Sequence, residues 1–436
     1  MSELNPKAMY ADRLQTAAAA AALVKSGDTI VVATNIAEPP ALLEAIAARV
    51  RAGELSDLSV YSFNPQSHLA HTLFAVDICD CVQGNAWFVS GGIRGGVKTG
   101  LVHFVPSYFH QVPRLLRENM KVDIVVSMVS RMDRSGYCSF GNAGFMPVAA
   151  RECRHLLLEV NENLPRVFGD TWVHVSEATA IIENTVPIIE SVIPQSRPED
   201  AVVGKLIAEQ IPDGATLQFG IGGLPNAVAE SLMGHTDLGI HTELMGPGLV
   251  KLIQAGVVTG RRKTAHPRRH VFSVVYGTKD TFEFLDDNPG MESLCSEYVM
   301  DPAVIGKNDN MIAVNSILEV DLTGQCNAES IEGSQFSGTG GQLDFVRGAY
   351  QSRGGKAILA FYSTAKGGDI SRVVPRLKEG AMVTTPRMDV QYLATEYGLV
   401  NLKGRSSKER ALAIASLAHP KFRDDLLREG EEMGLF

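Results

Sequence analysis

Residues 214–232 read GATLQFGIGGLPNAVAESL and outline a strand, a glycine-rich loop and a helix in direct succession. The apolar run through Phe219 predicts a buried strand. We expect glycines 220, 222 and 223 to form a tight loop and the helix to begin at Pro225, because proline is favoured at the first helical position. The stretch therefore predicts a strand–loop–helix unit of an α/β protein.

The same order of features occurs earlier, in GDTIVVATNIAEPPALLEAI, which begins at Gly27. Allowing one inserted residue, both stretches run Gly, any residue, Thr, apolar strand, small-residue loop, Pro and apolar helix. Residues 193–200 (IPQSRPED) are polar and rich in proline, which is typical of a linker. We therefore predict two related halves, 1–192 and 196–436, and favour duplication over a chance match.

Apolar runs rich in β-branched residues alternate with helix-like stretches along the rest of the chain. The predicted strands include 58–63, 122–130, 270–277 and 356–363, and the predicted helices include 41–50, 202–211 and 408–418. Continuous apolar strands between amphipathic helices indicate a parallel sheet covered on both faces. The predicted fold class is α/β, with two open, mostly parallel α/β domains.

Composition excludes several classes of function. The chain has 436 residues, of which 45% are hydrophobic and 20% charged, and its net charge is −9. An acidic protein of this kind is unlike a general binder of nucleic acid or anionic lipid. The alanine-rich run 17–24 is too short to span a bilayer, so we predict a cytoplasmic protein without membrane contact. Six scattered cysteines without a C-x-x-C pair, and no H-E-x-x-H motif, predict reduced thiols and no metal site.

The glycine loop at 220–223 has two interpretations. Glycines let a backbone approach a ligand closely, and a helix start favours anions, so the loop suits a phosphate or a thioester oxygen. A plain strand–helix turn explains the loop equally well. Pro225 occupies the place of the third glycine of a dinucleotide fingerprint, which disfavours a nicotinamide-dependent oxidoreductase.

A second glycine-rich turn lies in SGTGGQLDFVRGAY, residues 337–350. The backbone amides of Gly340 and Gly341 are suited to stabilise an oxyanion. Asp344 and Arg347 are three residues apart, and we interpret them as a local ion pair on a helix, with a structural role.

Two cationic features are open to a functional or a structural interpretation. Lys366, in FYSTAKGG (361–368), follows a predicted strand and suits a phosphate or a thioester carbonyl, though a solvated loop lysine is nearly as good an explanation. The basic stretch 260–270 (GRRKTAHPRRH) could guide an anionic ligand, but a solvated loop is the commoner case.

Glu243 is the strongest catalytic candidate. It lies in LGIHTELMGPG (238–248), the strand predicted to follow the glycine-loop helix. Ligands of open α/β sheets bind beyond the carboxyl ends of the strands, where a glutamate can act as a base or a covalent nucleophile. His241 points to the same face of the strand and either orients Glu243 or packs; we favour packing.

Taken in order, GIGGLPNAV, LGIHTEL, SGTGGQLDFVRGA and STAKGG resemble the acetyl-CoA hydrolase/transferase family, closest to its 4-hydroxybutyrate and itaconate CoA-transferase members. The resemblance covers nearly the whole chain. It implies two α/β domains with the active site in the cleft between them. It also implies a homo-oligomer that uses coenzyme A, acyl-CoA and short carboxylates as substrates and holds no permanently bound cofactor or metal.

The resemblance also implies roles for particular residues. Glu243 would attack an acyl-CoA, giving first an acyl-glutamyl anhydride and then a glutamyl-CoA thioester. The other implied roles are CoA binding by Gly220, Ile221, Gly222, Gly223, Leu224, Gly340, Gly341 and Lys366, and a weaker acyl-pocket role for Asn315 and Met245.

One departure from the family pattern adjoins the glutamate. The chain continues LMGPG (244–248), where 4-hydroxybutyrate enzymes have a Ser-Asp-Gly turn. A stiff, apolar loop suits a methylene-bearing diacid such as itaconate or succinate as acceptor. Two other functions remain open: an acyl-CoA hydrolase, in which water replaces the acceptor, and a non-catalytic CoA-binding protein.

Overall fold

The structure, a computed structural model, describes residues 5–192, 197–220 and 222–436. The chain forms two compact units. Residues up to Ser191 together with Val271–Tyr298 make the first unit, and Val192–His270 together with Val299–Phe436 make the second. Across the described residues, no helix combines the length and the apolar character needed to cross a membrane.

The first unit is built on a parallel sheet. Within its described part, seven strands pair in the order Ala180–Glu183, His155–Val160, Ile124–Val129, Thr29–Val32, Leu58–Phe63, Val82–Phe88 and Val102–Phe104. All neighbouring strands run parallel. Every residue of the central strand Ile124–Val129 is buried, as expected when helices cover both faces.

The helices of the first unit bury apolar side chains, except Pro6–Arg13 and Arg94–Thr99, which have no buried residue. The helices of this unit are Pro6–Arg13, Ala17–Ala21, Pro40–Arg51, Ser67–His71, Arg94–Thr99, Val112–Glu118, Met146–Glu152 and Lys279–Leu285. Helix Pro40–Arg51 starts at a proline and buries leucines and other apolar residues at helical spacing. Its first turn is held by the buried Glu159, whose Oε2 accepts the Leu42 N–H at 3.0 Å.

Residues Val271–Tyr298 belong to the first unit. The predicted halves, 1–192 and 196–436, place these residues in the second. Strand Met291–Ser293 pairs in parallel with Phe168–Gly169, and the Ser293 hydroxyl accepts the Ala143 N–H at 2.9 Å. These contacts reach far back along the chain, so sequence order alone did not reveal them. The first residues of the predicted linker, 193–196, lie outside the described residues.

The second unit also carries a mostly parallel sheet. Among its described residues, six strands pair in the order Gly398–Asn401, Tyr392–Thr395, Lys356–Ala360, Met311–Ser316, Thr216–Phe219 and Gly239–Met245. They run parallel except for the hairpin formed by the first two. The helices are Pro198–Ala208, Gly223–Ser231, Pro247–Gln254, Pro302–Ile305, Gln342–Gln351, Ser407–Ser416 and Pro420–Glu432.

The predicted fold class is confirmed, since each unit is a mostly parallel α/β structure. In each unit the strand that begins the repeated pattern, Thr29–Val32 or Thr216–Phe219, lies between two parallel neighbours. The placement of the active site in a cleft between the two halves stays a prediction.

Candidate active site

Glu243 lies near the carboxyl end of strand Gly239–Met245. Its Oε2 accepts a hydrogen bond from the backbone N–H of Gly341 at 2.8 Å. Gly341 directly precedes helix Gln342–Gln351, so the turn that leads into this helix meets the end of the strand. The structure thus brings together the predicted nucleophile and the predicted oxyanion turn, which are about one hundred residues apart in sequence.

The glycine turn must lack side chains to lie this close to the carboxylate. A Cβ on Gly340 would lie 3.1 Å from Glu243 Oε1, and the φ of Gly340 is +56°. A Cβ on Gly341 would lie 2.7 Å from Glu243 Oε2 and 2.7 Å from the Met300 sulfur. Both glycines are therefore required by close approach, Gly340 to Glu243 and Gly341 to Glu243 and Met300.

The surroundings of Glu243 make its carboxyl less acidic than usual. Burial raises the pKa of Glu243, the Gly341 N–H opposes this shift and the charge of Asp344 adds to it, and the resulting pKa is about 7. Asp344 is itself buried, in the first turn of helix Gln342–Gln351. A carboxylate with a raised pKa is more basic, and a less hydrated carboxylate is a better nucleophile.

The interpretation of Asp344 with Arg347 as a local ion pair stays a prediction. Arg347 forms its ion pair with Asp389, with Nε and Nη2 each 3.0 Å from a carboxylate oxygen. Asp344 is buried, and its charge raises the pKa of Glu243. Residues three apart on a helix share a face, but tertiary packing buries Asp344 and leaves Arg347 at the surface.

His241 packs, as the sequence suggested. It is fully buried, its Nε2 lies 2.8 Å from the Val299 carbonyl oxygen, and its ring lies edge-on to Phe345. Burial and the charge of Lys263 lower the pKa of His241 to about 3, so the ring is neutral. A neutral ring beside a carbonyl carries its proton on Nε2 and donates it there. Within the described residues, Nδ1 has no hydrogen-bond partner.

The basic stretch 260–270 is only partly a solvated loop. Arg261 pairs with Asp237 at the surface, but Lys263 is buried and its Nζ donates to the Ile240 and Arg269 carbonyls at 2.7 and 2.8 Å. Gly239 makes room, because a Cβ there would lie 2.4 Å from Lys263 Cγ. Lys263 thus fastens this loop to the strand that carries Glu243.

Replacing Lys263 with alanine should destabilise the second unit. The two carbonyls would lose a charged donor in a buried place, and each unpaired group costs about 1–3 kcal/mol, so we expect a loss of about 2–6 kcal/mol. Urea unfolding monitored by circular dichroism measures this. The exposed Lys251→Ala is the control, and an equal effect of the two changes would refute the role given to Lys263.

The glycine loop follows strand Thr216–Phe219, whose end at Phe219 is confirmed. The helix begins at Gly223, two residues before the predicted start at Pro225, because a prolyl nitrogen is tolerated throughout the first turn. Gly222 has φ +124°, which only glycine adopts readily, and no side chain caps this helix. CoA binding by this loop stays a prediction, and Ile221 lies outside the described residues.

Asn315 and Met245 differ in what they offer a substrate. Asn315 exchanges two hydrogen bonds, of 2.9 and 3.0 Å, with the side-chain amide of Gln218. A Cβ on Gly220 would lie 3.8 Å from Asn315 Oδ1, so this pair lies beside the glycine loop. Met245 is fully buried, which leaves it no surface for a substrate in this conformation. Gln218, an amide side chain in a buried strand, was the available signal in the sequence.

Lys366 lies at the exposed tip of a hairpin formed by Thr364–Ala365 and Ile370–Ser371. Its φ is +49°, and Gly367 and Gly368 follow it with positive φ values. Within the described part of the chain, no hydrogen bond or ion pair joins Lys366 to Glu243. No group of three or more His, Cys, Asp or Glu side chains among those residues is arranged to hold a metal ion.

Comparisons with known proteins match this architecture over the full length. Residues 1–193 match the N-terminal domain of the acetyl-CoA hydrolase/transferase family, and residues 277–430 match its C-terminal domain. The succinyl-CoA:cyclohexane-1-carboxylate CoA transferase of Geobacter metallireducens is 42% identical over 97% of this chain and 96% of its own. The 4-hydroxybutyrate coenzyme A transferase of Clostridium kluyveri is 39% identical over 97% and 98%.

A solved structure agrees with the fold. RipA from Yersinia pestis superposes with a TM-score of 0.96 at 44% identity, covering 99% of this chain and all of that one. Both family domains are present in order, and the relatives align from end to end. The chain therefore belongs to the acetyl-CoA hydrolase/transferase family and is an enzyme of the CoA-transferase type.

Proposed function

We propose that this enzyme moves CoA from an acyl-CoA donor, such as acetyl-CoA or succinyl-CoA, to a short carboxylic acid, such as 4-hydroxybutyrate or itaconate. Glu243 is the covalent nucleophile in this proposal. The observation that carries it is the Glu243 carboxylate, held by the Gly341 amide at 2.8 Å and less acidic than a free glutamate. The names of the aligned CoA transferases support the same class of reaction.

The first half-reaction loads CoA onto the enzyme. Gly341 holds Oε2, so Oε1 attacks the thioester carbonyl carbon of the donor, the C–S bond breaks, and CoA leaves as a thiolate. The thiolate then attacks the Glu243 carbonyl carbon of the resulting anhydride. The donor acid leaves as a carboxylate, and a glutamyl-CoA thioester remains.

The second half-reaction repeats these steps in reverse with the acceptor. The acceptor carboxylate attacks the glutamyl thioester and expels the CoA thiolate, which then attacks the acceptor acyl carbon of the new anhydride and releases Glu243. Every step exchanges one acyl bond for another, without a change of oxidation state. The amides of Gly340 and Gly341 are assigned to stabilise the oxyanions.

The pH dependence of transfer should report the ionisation of the Glu243 carboxyl group. The nucleophile must be ionised, and its pKa is raised to about 7, so activity is lost as the pH falls through 7. We expect kcat/KM to fall about tenfold per pH unit below that value. Initial rates from pH 5 to 9 give the apparent pKa of the acidic limb. An apparent pKa near the ordinary glutamate value of 4.5 would contradict the raised pKa of Glu243.

Intact-protein mass spectrometry tests the covalent mechanism. Wild type incubated with acetyl-CoA should gain the mass of CoA less one water, and borohydride should remove the adduct and the activity by reducing the thioester to an alcohol. Glu243→Ala should gain no such mass. Consumption of acetyl-CoA without an adduct and without any acceptor acid would identify a direct hydrolase, and neither adduct nor turnover with an acyl-CoA panel would leave a CoA-binding protein.

A panel of acceptor acids then identifies the second substrate. Itaconate, succinate and 4-hydroxybutyrate should be compared by kcat/KM, because the segment 244–248 that follows the nucleophile carries no polar side chain. The preference for a methylene-bearing diacid is contradicted if 4-hydroxybutyrate is the best of the three. A homo-oligomeric state and a cytoplasmic location stay predictions.

A further inference from the structure

A second cationic feature lies at the base of the hairpin that carries Lys366. In this hairpin Thr364 pairs with Ser371, and Arg372 follows directly. The Arg372 backbone N–H donates to the Ser363 carbonyl at 2.9 Å, which fixes the residue beside the end of strand Lys356–Ala360. Arg372 therefore lies at the carboxyl side of this strand, where ligands of α/β sheets bind.

The Arg372 guanidinium is half-buried and lacks a fixed partner. Among the described residues, no hydrogen bond or ion pair reaches its side chain. Other arginines of the same unit are paired, such as Arg261 with Asp237 and Arg347 with Asp389. A guanidinium has five N–H donors, so one that is partly removed from water retains several unmet donors.

A second arginine reinforces the positive charge. The Arg197 guanidinium lies 4.6 Å from the centre of the Tyr362 ring, and the Tyr362 hydroxyl donates to Asp200 Oδ1 at 2.5 Å. Burial, and then the like charge of Arg197, lower the pKa of Arg372 below that of a free arginine. Because the two positive charges repel each other, an anion bound between them would stabilise both.

Nearby carboxylates do not neutralise Arg372 by contact. Glu396 and Glu319 act on it from a distance, but each is engaged elsewhere. Glu396 accepts the Ser363 N–H at 3.0 Å, and Glu319 accepts the Asn327 side-chain amide at 2.9 Å. Neither lies within 4 Å of the Arg372 guanidinium nitrogens, so the fork of Arg372 stays available to a ligand.

We propose that Arg372 and Arg197 bind a phosphate group of the CoA nucleotide. This inference rests on the proposed function, because it assigns part of the same substrate. Arginine forks match phosphate oxygens in two-point hydrogen bonds, and these charge-assisted bonds are strong. Lys366 on the same hairpin would then act nearer the thioester, and Arg372 would hold the nucleotide end.

Two phosphate sources exist in CoA, the 3′-phosphate and the diphosphate, and donor analogues distinguish them. Arg372→Gln and Arg197→Gln should be compared with wild type using acetyl-CoA, acetyl-dephospho-CoA and acetylpantetheine. We expect Arg372→Gln to raise the KM for acetyl-CoA about tenfold or more, while kcat stays within about twofold. The exposed Arg405→Gln is the control, and Arg372→Lys should restore part of the affinity.

The pattern across donors decides the outcome. If the 3′-phosphate is the ligand, Arg372→Gln leaves the KM for acetyl-dephospho-CoA unchanged. If the diphosphate is the ligand, the KM rises for both nucleotide donors and not for acetylpantetheine. An equal rise for all three donors, or no rise beyond that of Arg405→Gln, would overturn the proposal.

Equilibrium binding keeps this test separate from the proposed function. Calorimetric titration of CoA and dephospho-CoA into wild type and Arg372→Gln needs no turnover. Weaker binding of CoA by the variant would support the phosphate site even if Glu243 formed no adduct. Unchanged CoA affinity in an enzyme that forms the adduct would refute the phosphate site and leave the transferase mechanism intact.

Discussion

Glu243→Ala should abolish CoA transfer while the fold stays intact. The side chain lies at a strand end, is partly exposed and makes one hydrogen bond in the structure, so its removal costs little packing. Loss of a covalent nucleophile costs about 10⁴-fold or more in kcat in other enzymes, and we expect a loss of this order. Steady-state transfer assays with acetyl-CoA and an acceptor acid measure it, and circular dichroism checks the fold.

Two companion variants sharpen the test of Glu243. Glu243→Asp keeps the charge but withdraws the carboxylate by one methylene, and a misplacement of this size costs about 100-fold. Glu230→Ala removes an exposed glutamate of the same unit and should leave transfer unchanged. Retention of a comparable rate in Glu243→Ala would rule out the covalent mechanism.

Gly341→Ala should have the next largest effect. The new methyl group would lie 2.7 Å from Glu243 Oε2 and from the Met300 sulfur, so either the turn or the carboxylate must move. The Gly341 amide would then lose its 2.8 Å hydrogen bond to the nucleophile. Because loss of one aligned oxyanion donor costs about 10²–10³-fold in kcat, we expect a loss in that range.

Gly234→Ala is the matched control for Gly341→Ala. A Cβ on Gly234 would meet no atom within 4 Å, so this change should leave both kcat and stability close to wild type. The adduct assay adds a second measurement, since Gly341→Ala should form the glutamyl-CoA thioester more slowly. If Gly341→Ala transferred CoA at the wild-type rate, the contact between this turn and Glu243 would have no catalytic importance.

Much of the fold was predictable from local patterns. Strand Leu58–Phe63 matches its predicted bounds, and helix Pro40–Arg51 extends the predicted 41–50 by one residue at each end. The bounds of such segments follow from the spacing of their apolar residues, and this spacing is visible in the local sequence. The start of the helix at Gly223 was missed by two residues because proline is acceptable at more than one position of a first turn.

The sequence by itself determined the α/β class, the order of the motifs and the choice of Glu243 as candidate nucleophile. Only the tertiary structure decided which partners surround it. The approach of Gly341, the burial of Asp344 beside the carboxylate, and the anchoring of the glutamate strand by Lys263 join residues far apart in the chain. Local sequence encodes the periodicity of strands and helices, whereas desolvation and hydrogen bonding depend on distant segments that meet only in the folded unit.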